Sequence, residues 1–170
     1  MALLQIVKYG EKVLRRQTAP VKSLNDQIER LINDMFETMY AGSGIGLAAP
    51  QVNVSLRLAV VNVTPDDKSK GIAIINPHIV KRIGRVQSEE GCLSFPGVGS
   101  VIINRAERIK VEAMDKSGLP VTIHAEGLLA RCLEHEIDHL EGITLVQRSS
   151  LRKRMKLIWT IRQLKKAGLW

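Results

Sequence analysis

Apolar residues at Ile28, Leu31, Ile32, Met35, Phe36 and Met39 are three or four positions apart, the spacing that lines one face of a helix. Ser23 or Asn25 can cap that helix, and Ala41-Gly42 ends it. Upstream, Tyr9-Gly10 and Ala19-Pro20 bracket a short helical turn over 11–16. Downstream the helical spacing gives way to short apolar runs. Residues 56–63 and 72–75 read as buried strands separated by the turn Thr64-Pro65-Asp66-Asp67. Further strands are expected at 79–83, 98–103, 109–114 and 121–125, with Lys116-Ser117-Gly118 as a hairpin turn between the last two. Helical spacing returns over 126–140 and stops at Gly142. A short strand at 143–146 follows, and Ser149 or Ser150 caps a final helix to about 167. There is no internal repeat and no regular βαβ alternation. The class expected is α+β, with mixed or antiparallel strands packed around the 126–140 helix and a helix at the C-terminus.

Composition narrows the setting. A chain of 170 residues, 45% apolar and 25% charged, is most simply one domain with a real core. No run approaches the roughly 18 apolar residues that span a bilayer. The N-terminal stretch from Met1 to Lys8 has a Lys too early and too short an apolar run for a secretory leader, so the cytoplasm or an organelle equivalent is expected. The net charge of +8 is uneven: all 17 acids lie at or before Glu141, whereas eight of the 25 Lys and Arg fall from Arg148 onward. Residues 1–147 balance 17 Lys and Arg against the 17 acids, so the expected organisation is a near-neutral body, bounded at 1–148, and a basic helix over 149–170, in the same domain or as an appended tail. Two cysteines, Cys92 and Cys132, are too few for a disulfide framework and each needs its own explanation.

The candidate chemistry begins with His135-Glu136-Ile137-Asp138-His139. In a helix, histidines four apart share a face and can hold one metal ion, with Glu136 beside them as a candidate general base. The competing reading makes these residues the solvated side of an amphipathic helix. A catalytic site of this type takes three protein ligands and leaves one position open. Gly142 matches an extended metalloprotease pattern, but Leu145 stands where its last His would be, no His follows His139, and no acid follows Glu141. The third ligand therefore lies upstream, or there is no such site. Cys132 is seven residues from His139, roughly 10.5 Å of helix rise, and reads as a small residue lining the site rather than a ligand. His78 and His124 read as surface histidines. Cys92, in Glu90-Gly91-Cys92-Leu93-Ser94-Phe95-Pro96-Gly97, is not in regular strand surroundings. Gly91 is expected to allow a close backbone approach there, and Phe95-Pro96 to set the exit. A buried strand thiol is the other reading of Cys92.

Gly44-Ile45-Gly46-Leu47-Ala48-Ala49-Pro50-Gln51, Glu90-Gly91-Cys92-Leu93-Ser94 and His135-Glu136-Ile137-Asp138-His139 together resemble, in order, the three signature motifs of peptide deformylases. The likeness runs from about residue 5 to 147. It implies hydrolysis of the formyl group from the N-terminal formyl-methionine of nascent polypeptides, releasing formate. It also implies Cys92, His135 and His139 as ligands of a divalent metal, Fe2+ first and Zn2+ second, with Co2+ or Ni2+ also accepted by such a set. Glu136 would handle the proton, while the Gln51 amide and the Leu93 N–H would face the developing oxyanion. Gly44 and Gly46 would leave backbone open to an extended peptide, although a plain turn also fits. Ile45 and Cys132 are candidates for the methionine pocket, and Glu90 with Arg105 for a supporting ion pair or a solvated surface pair.

Gly97-Val98-Gly99, where many relatives have a substrate-holding Arg, departs from the family pattern, as do Arg131 and Glu134. Glu134 is expected to add negative charge near the site. In the tail, Leu151, Met155, Leu157, Ile158, Trp159, Ile161 and Leu164 cover a broad helix face with basic residues around it. By the resemblance it would contact ribosomal RNA; a docked terminal helix with a solvated basic side also fits. Two rival readings remain: a ribosome- or RNA-binding module whose Cys92, Cys132, His135 and His139 close a structural zinc site, and a deformylase-like protein of weak or retuned activity.

Overall fold

Helix α1 spans Asp26–Ala41, and Asn25 is its cap: the side chain accepts from the N–H groups of Gln27 and Ile28 at 3.0 and 3.1 Å. Such a cap contributes about 1 kcal/mol. On the expected face Ile32, Met35 and Met39 are buried, while Ile28, Leu31 and Phe36 pack at its margin. The computed structural model describes residues 2–170; Met1, with which the N-terminal stretch read above begins, lies outside them.

Seven strands follow: β1 Gly46–Ala48, β2 Leu58–Val61, β3 Ile72–Ile83, β4 Val86–Glu90, β5 Val101–Arg105, β6 Arg108–Met114 and β7 Pro120–Glu126. Five form one antiparallel sheet in the order β1-β2-β3-β6-β7, and β4 and β5 pair as a separate antiparallel hairpin. Helix α2 spans Gly127–Leu140, the single turn α3 Leu145–Arg148, and α4 Leu151–Lys166. The architecture is thus α+β with a terminal helix.

Alternation along β2 shows how the layers are held. Leu58 and Val60 point into one cluster with Met35 and Met39 of α1. Ala59 and Val61 point into another with Ala130, Leu133, Ile137 and Leu140 of α2. All four are buried because the strand is covered on both faces. The small Ala48, Ala59, Ala113 and Ala125 on the α2 side let that helix lie close to the sheet. A third cluster joins Phe95, Val101 and Ile103 of the hairpin region to Leu145, Val146, Leu157 and Ile161.

Several expectations are corrected. Residues 72–75 and 79–83 belong to one twelve-residue strand; register shifts between Ile75 and His78 and between Ile79 and Lys81 absorb Pro77 and the left-handed Asn76 (φ 52°). Residues 143–146 are not a strand: the 145–148 segment is the helical turn α3, with Gln147 Oε1 accepting from the Thr144 N–H at 3.1 Å. The glycine-rich stretch contributes β1. Val86–Glu90, for which no element was expected, is β4, and β5 begins three residues later than expected. The broad apolar face of α4 is narrower than its seven residues suggest. Leu157 and Ile161 are buried, but Leu151, Met155 and Trp159 are more than 60% exposed. No helix among the described residues is long and apolar enough to cross a membrane.

Candidate metal centre and active site

Three elements converge at one end of the sheet. Helix α2 carries His135, Glu136 and His139; the segment after β4 carries Cys92; the turn after β1 carries Gln51. The helix is no solvated amphipath, since every residue from Cys132 to Leu140 is buried. Cys92 Sγ, a nitrogen of His135 and a nitrogen of His139 all lie within 4.8 Å of one another. Sγ stands 3.2 Å from His139 Nε2, and the two rings meet edge to face with centroids 4.9 Å apart.

This donor set fits a divalent cation. His135 Nδ1 lies 2.9 Å from Glu90 Oε2, an arrangement that orients the ring and leaves Nε2 for a ligand role. Burial opposes positive charge on His135, yet contacts with Cys92 and Glu90 raise its pKa well above the ordinary histidine range. Burial, with the charge of His135 nearby, lowers that of His139 well below it. A ligand imidazole is neutral, so His139 is already in the ligating form while a metal ion and a proton would compete for His135. One sulfur and two nitrogens make three of the four donors that a tetrahedral site takes.

Glu136 is 3% exposed, and burial pushes its carboxyl up to about 7. Its Oε2 has no hydrogen-bond partner among the described residues. Gln51 is held by its oxygen: Oε1 accepts from the Ala48 N–H at 2.8 Å. That bond aims Nε2 at the site, 3.5 Å from Cys92 Sγ and 3.3 Å from Ser94 Oγ. Behind the centre, Arg105 clamps Glu90 with bonds of 2.7 and 2.8 Å. Burial alone would raise the Glu90 carboxyl, but the bonds from Arg105 and His135 outweigh it and hold it at about 2.

In front lies a cavity of about 440 Å³, lined among others by Gly44, Ile45, Leu93, Arg131, Cys132 and Glu136. β1 borders it at the edge of the sheet, where one side of its backbone is free of any strand. Gly46 is required by space: a Cβ there would clash with Glu136 Oε1 and come within 2.8 Å of Cys132 Sγ.

The chain matches the family model for polypeptide deformylase over residues 3–155. It belongs to that family. A peptide deformylase of Thermodesulfovibrio yellowstonii is 46% identical over 155 residues, covering 91% of this chain and 93% of that one. One from Neisseria meningitidis is 47% identical over 157 residues, with 92% and 93% covered. Among solved structures, a peptide deformylase from Legionella pneumophila superimposes with a TM-score of 0.92 at 44% identity, covering 98% of both chains. The Synechococcus elongatus peptide deformylase in complex with actinonin gives 0.88 at 37% identity, covering 98% of this chain and 89% of that one.

Within this deformylase fold the residues named from sequence are brought together, with several adjustments. Cys132 stands apart from the ligand cluster, its thiol donating to the Ile45 carbonyl at 3.3 Å, so the four-ligand zinc arrangement is not formed. Gly91 makes no close approach: a Cβ there would meet nothing within 4 Å. Glu134 does not face the cavity, because it accepts from Arg82 at 2.9 Å and from the Ala106 N–H at 2.8 Å on the opposite side. The Glu90–Arg105 pair is buried rather than solvated. His78 and His124 are exposed. Sequence reasoning missed Asp138, which accepts from Arg105 Nη1 at 2.5 Å and from Arg148 Nε at 2.7 Å. Arg148, counted above with the basic tail, is thereby paired. Ser94 was also missed as a partner of Gln51. The one available signal for Asp138 was its place inside the helix motif, three residues after His135.

Proposed function

We propose that this chain removes the N-formyl group from formyl-methionine at the start of nascent polypeptides, by metal-dependent hydrolysis. The observation that carries the reading is the convergence of Cys92, His135 and His139 with a buried Glu136, beside an open strand edge and a cavity, in a chain of this family. Bound there, a divalent ion lowers the pKa of water and polarises the formyl carbonyl. Fe2+ is our first assignment and Zn2+ the second, with Co2+ and Ni2+ compatible with the same donors.

The chain's own residues supply the remainder. Glu136 accepts a proton from the attacking water as the new C–O bond forms, then delivers it to the amine nitrogen as the C–N bond breaks. A carboxyl held near neutrality suits both transfers. Gln51 Nε2 and the Leu93 N–H donate to the carbonyl oxygen as it gains charge. The backbone of Gly44, Ile45 and Gly46 pairs with the extended peptide, while Ile45 and Cys132 line the methionine pocket. We assign this reaction to the cytoplasm or an organelle matrix.

We assign 1–148 to the catalytic body and 149–170 to a basic helix of the same domain, a reading supported by Leu157 and Ile161 in the third core cluster. Ribosomal RNA is the partner assigned to α4, whose Arg152, Lys153, Lys156, Arg162, Lys165 and Lys166 are exposed. Deleting the helix would strip that cluster, so reversing Arg152, Lys156 and Arg162 to Glu is the sharper test; unchanged ribosome co-sedimentation at low salt defeats the assignment. For the reaction itself, anaerobically purified chain is given formyl-Met-Ala-Ser and formate is measured, wild type against Glu136→Ala. Wild type releases formate and the variant retains metal without activity. A metal-loaded wild type that releases none refutes the proposal.

A further inference from the structure

Asp138 sits between Ile137 and His139 in α2, buried and shared by two arginines. Arg105 Nη1 donates to Oδ2 at 2.5 Å, Arg148 Nε donates to the same oxygen at 2.7 Å, and Arg148 Nη2 donates to Oδ1. The remaining donors of Arg105 clamp Glu90, whose Oε2 meets His135 Nδ1 at 2.9 Å. One unbroken line of hydrogen bonds thus runs Arg148, Asp138, Arg105, Glu90, His135. Two carboxylates alternate with two guanidiniums, so the line is neutral when His135 is neutral.

Its outer end is anchored to the C-terminal segment. Arg148 closes α3, and Arg154 of α4 reaches back to the carbonyls of Val146 and Gln147 at 2.9 and 3.0 Å. Lys153 donates to the Ile102 carbonyl at 2.9 Å, on the strand that also carries Arg105. Without Arg148, Asp138 is left with Arg105 as its one cation, and the two buried carboxylates compete for a single guanidinium. The grip on Glu90 then weakens, and His135 loses its fixed acceptor.

We propose that Arg148 is a positioning residue for His135, acting through Asp138, Arg105 and Glu90, so that the α3–α4 segment helps set the geometry and affinity of the metal centre. The proposal rests on the metal reading given above. Partners directly behind a ligand typically change metal affinity by about 10–100-fold when removed. Arg148 lies further out, and Arg148→Ala is expected to weaken Zn2+ binding about 10-fold, the low end of that range.

The full-length chain is tested by chelator competition for Zn2+ and by the visible absorption of its Co2+-loaded form. Arg148→Ala weakens Zn2+ and shifts the cobalt bands. Arg148→Lys, which keeps the charge but not the two-pronged contact, falls between the variant and wild type. Arg85→Ala, on the wall of a second cavity of about 260 Å³ that Arg105 and Arg148 also line but outside the hydrogen-bonded line, leaves both readouts unchanged. Asp138→Asn and Arg148→Ala combined cost less than the sum of their separate effects, because they break one line. Wild-type affinity and spectrum in Arg148→Ala overturn the proposal, and so does full additivity with Asp138→Asn. If the Ala variant does not fold, wild-type affinity in Arg148→Lys overturns it. A wild-type chain that binds no Zn2+ or Co2+ overturns the metal reading instead.

Discussion

Gly46→Ala adds a single methyl group at the point where β1 meets the face of α2. The backbone of Gly46 is not left-handed, so the substitution is opposed by space alone. The new Cβ would clash with Glu136 Oε1 and sit 2.8 Å from both Glu136 Cδ and Cys132 Sγ, closer than atoms tolerate. Glu136 is buried and Cys132 lies in the core between helix and sheet, so the strand and helix must part or the carboxylate must swing. Overpacking of this kind costs about 1–3 kcal/mol. For a domain of this size that lowers Tm by about 2–4 °C per kcal/mol. Displacing the carboxylate by about 1 Å can cost about 100-fold in rate, so activity should fall further than stability. The measurements are kcat/KM for formate release and thermal unfolding at matched metal content. Gly91→Ala is the companion variant, because its added Cβ meets nothing within 4 Å and should leave both values unchanged. Wild-type kcat/KM and Tm in Gly46→Ala would refute the claim that this close approach is what places Glu136.

Gln51→Glu keeps the oxygen that accepts from Ala48 but removes the N–H aimed at the site. It should lower kcat by about 100–1000-fold, as the loss of one oxyanion donor does, while Tm holds; a rate near wild type excludes that role. Glu134→Gln should leave kcat/KM within about twofold, because the carboxylate is turned to Arg82 and Ala106, and its exposed arginine partner makes the pair weak. A large activity change would return Glu134 to the site. Chelation should abolish formate release and lower Tm, and excess metal at about 100 times its dissociation constant should restore about 2.7 kcal/mol; calorimetry with and without chelator decides this.

The legible parts of the sequence were those in which one local pattern carries the physics. Helix α1 announced itself through Ile32, Met35 and Met39, and α2 through two histidines one turn apart. The hairpin strand β4 was invisible because Val86-Gln87-Ser88-Glu89-Glu90 has no apolar alternation; its inward positions are Ser88 and Glu90. β3 looked like two strands because Pro77 interrupts it, and only pairing with β6 shows that the strand continues through bulges. In α4, spacing placed seven apolar residues near one face but could not tell which of them a neighbour covers. Glu134 was misread as charging the site because its partners lie 52 and 28 residues away in sequence.

The buried charges of α2 explain why hydropathy alone could not separate a solvated helix from a catalytic one. Glu134, His135, Glu136, Asp138 and His139 would all lower the apparent burial of the helix, yet all are enclosed. A buried charge is tolerated only when it is paired or hydrogen-bonded. Glu134 meets Arg82 and Ala106, His135 meets Glu90, and Asp138 meets Arg105 and Arg148. Among the described residues, the buried side-chain atoms left without a partner are Glu136 Oε2 and His139 Nδ1. Both belong to the same turn of helix, and the fold satisfies its other buried side-chain polar atoms. The free oxygen of Glu136 is what a site completed from outside requires, whereas His139 Nδ1 is the ring nitrogen opposite the one 3.2 Å from Cys92 Sγ. Glu136 is thus distinguished from Glu134, the same residue type and similarly buried, by what surrounds it. One carboxylate is neutralised by an arginine and a backbone amide, and the other keeps an oxygen free to take a proton.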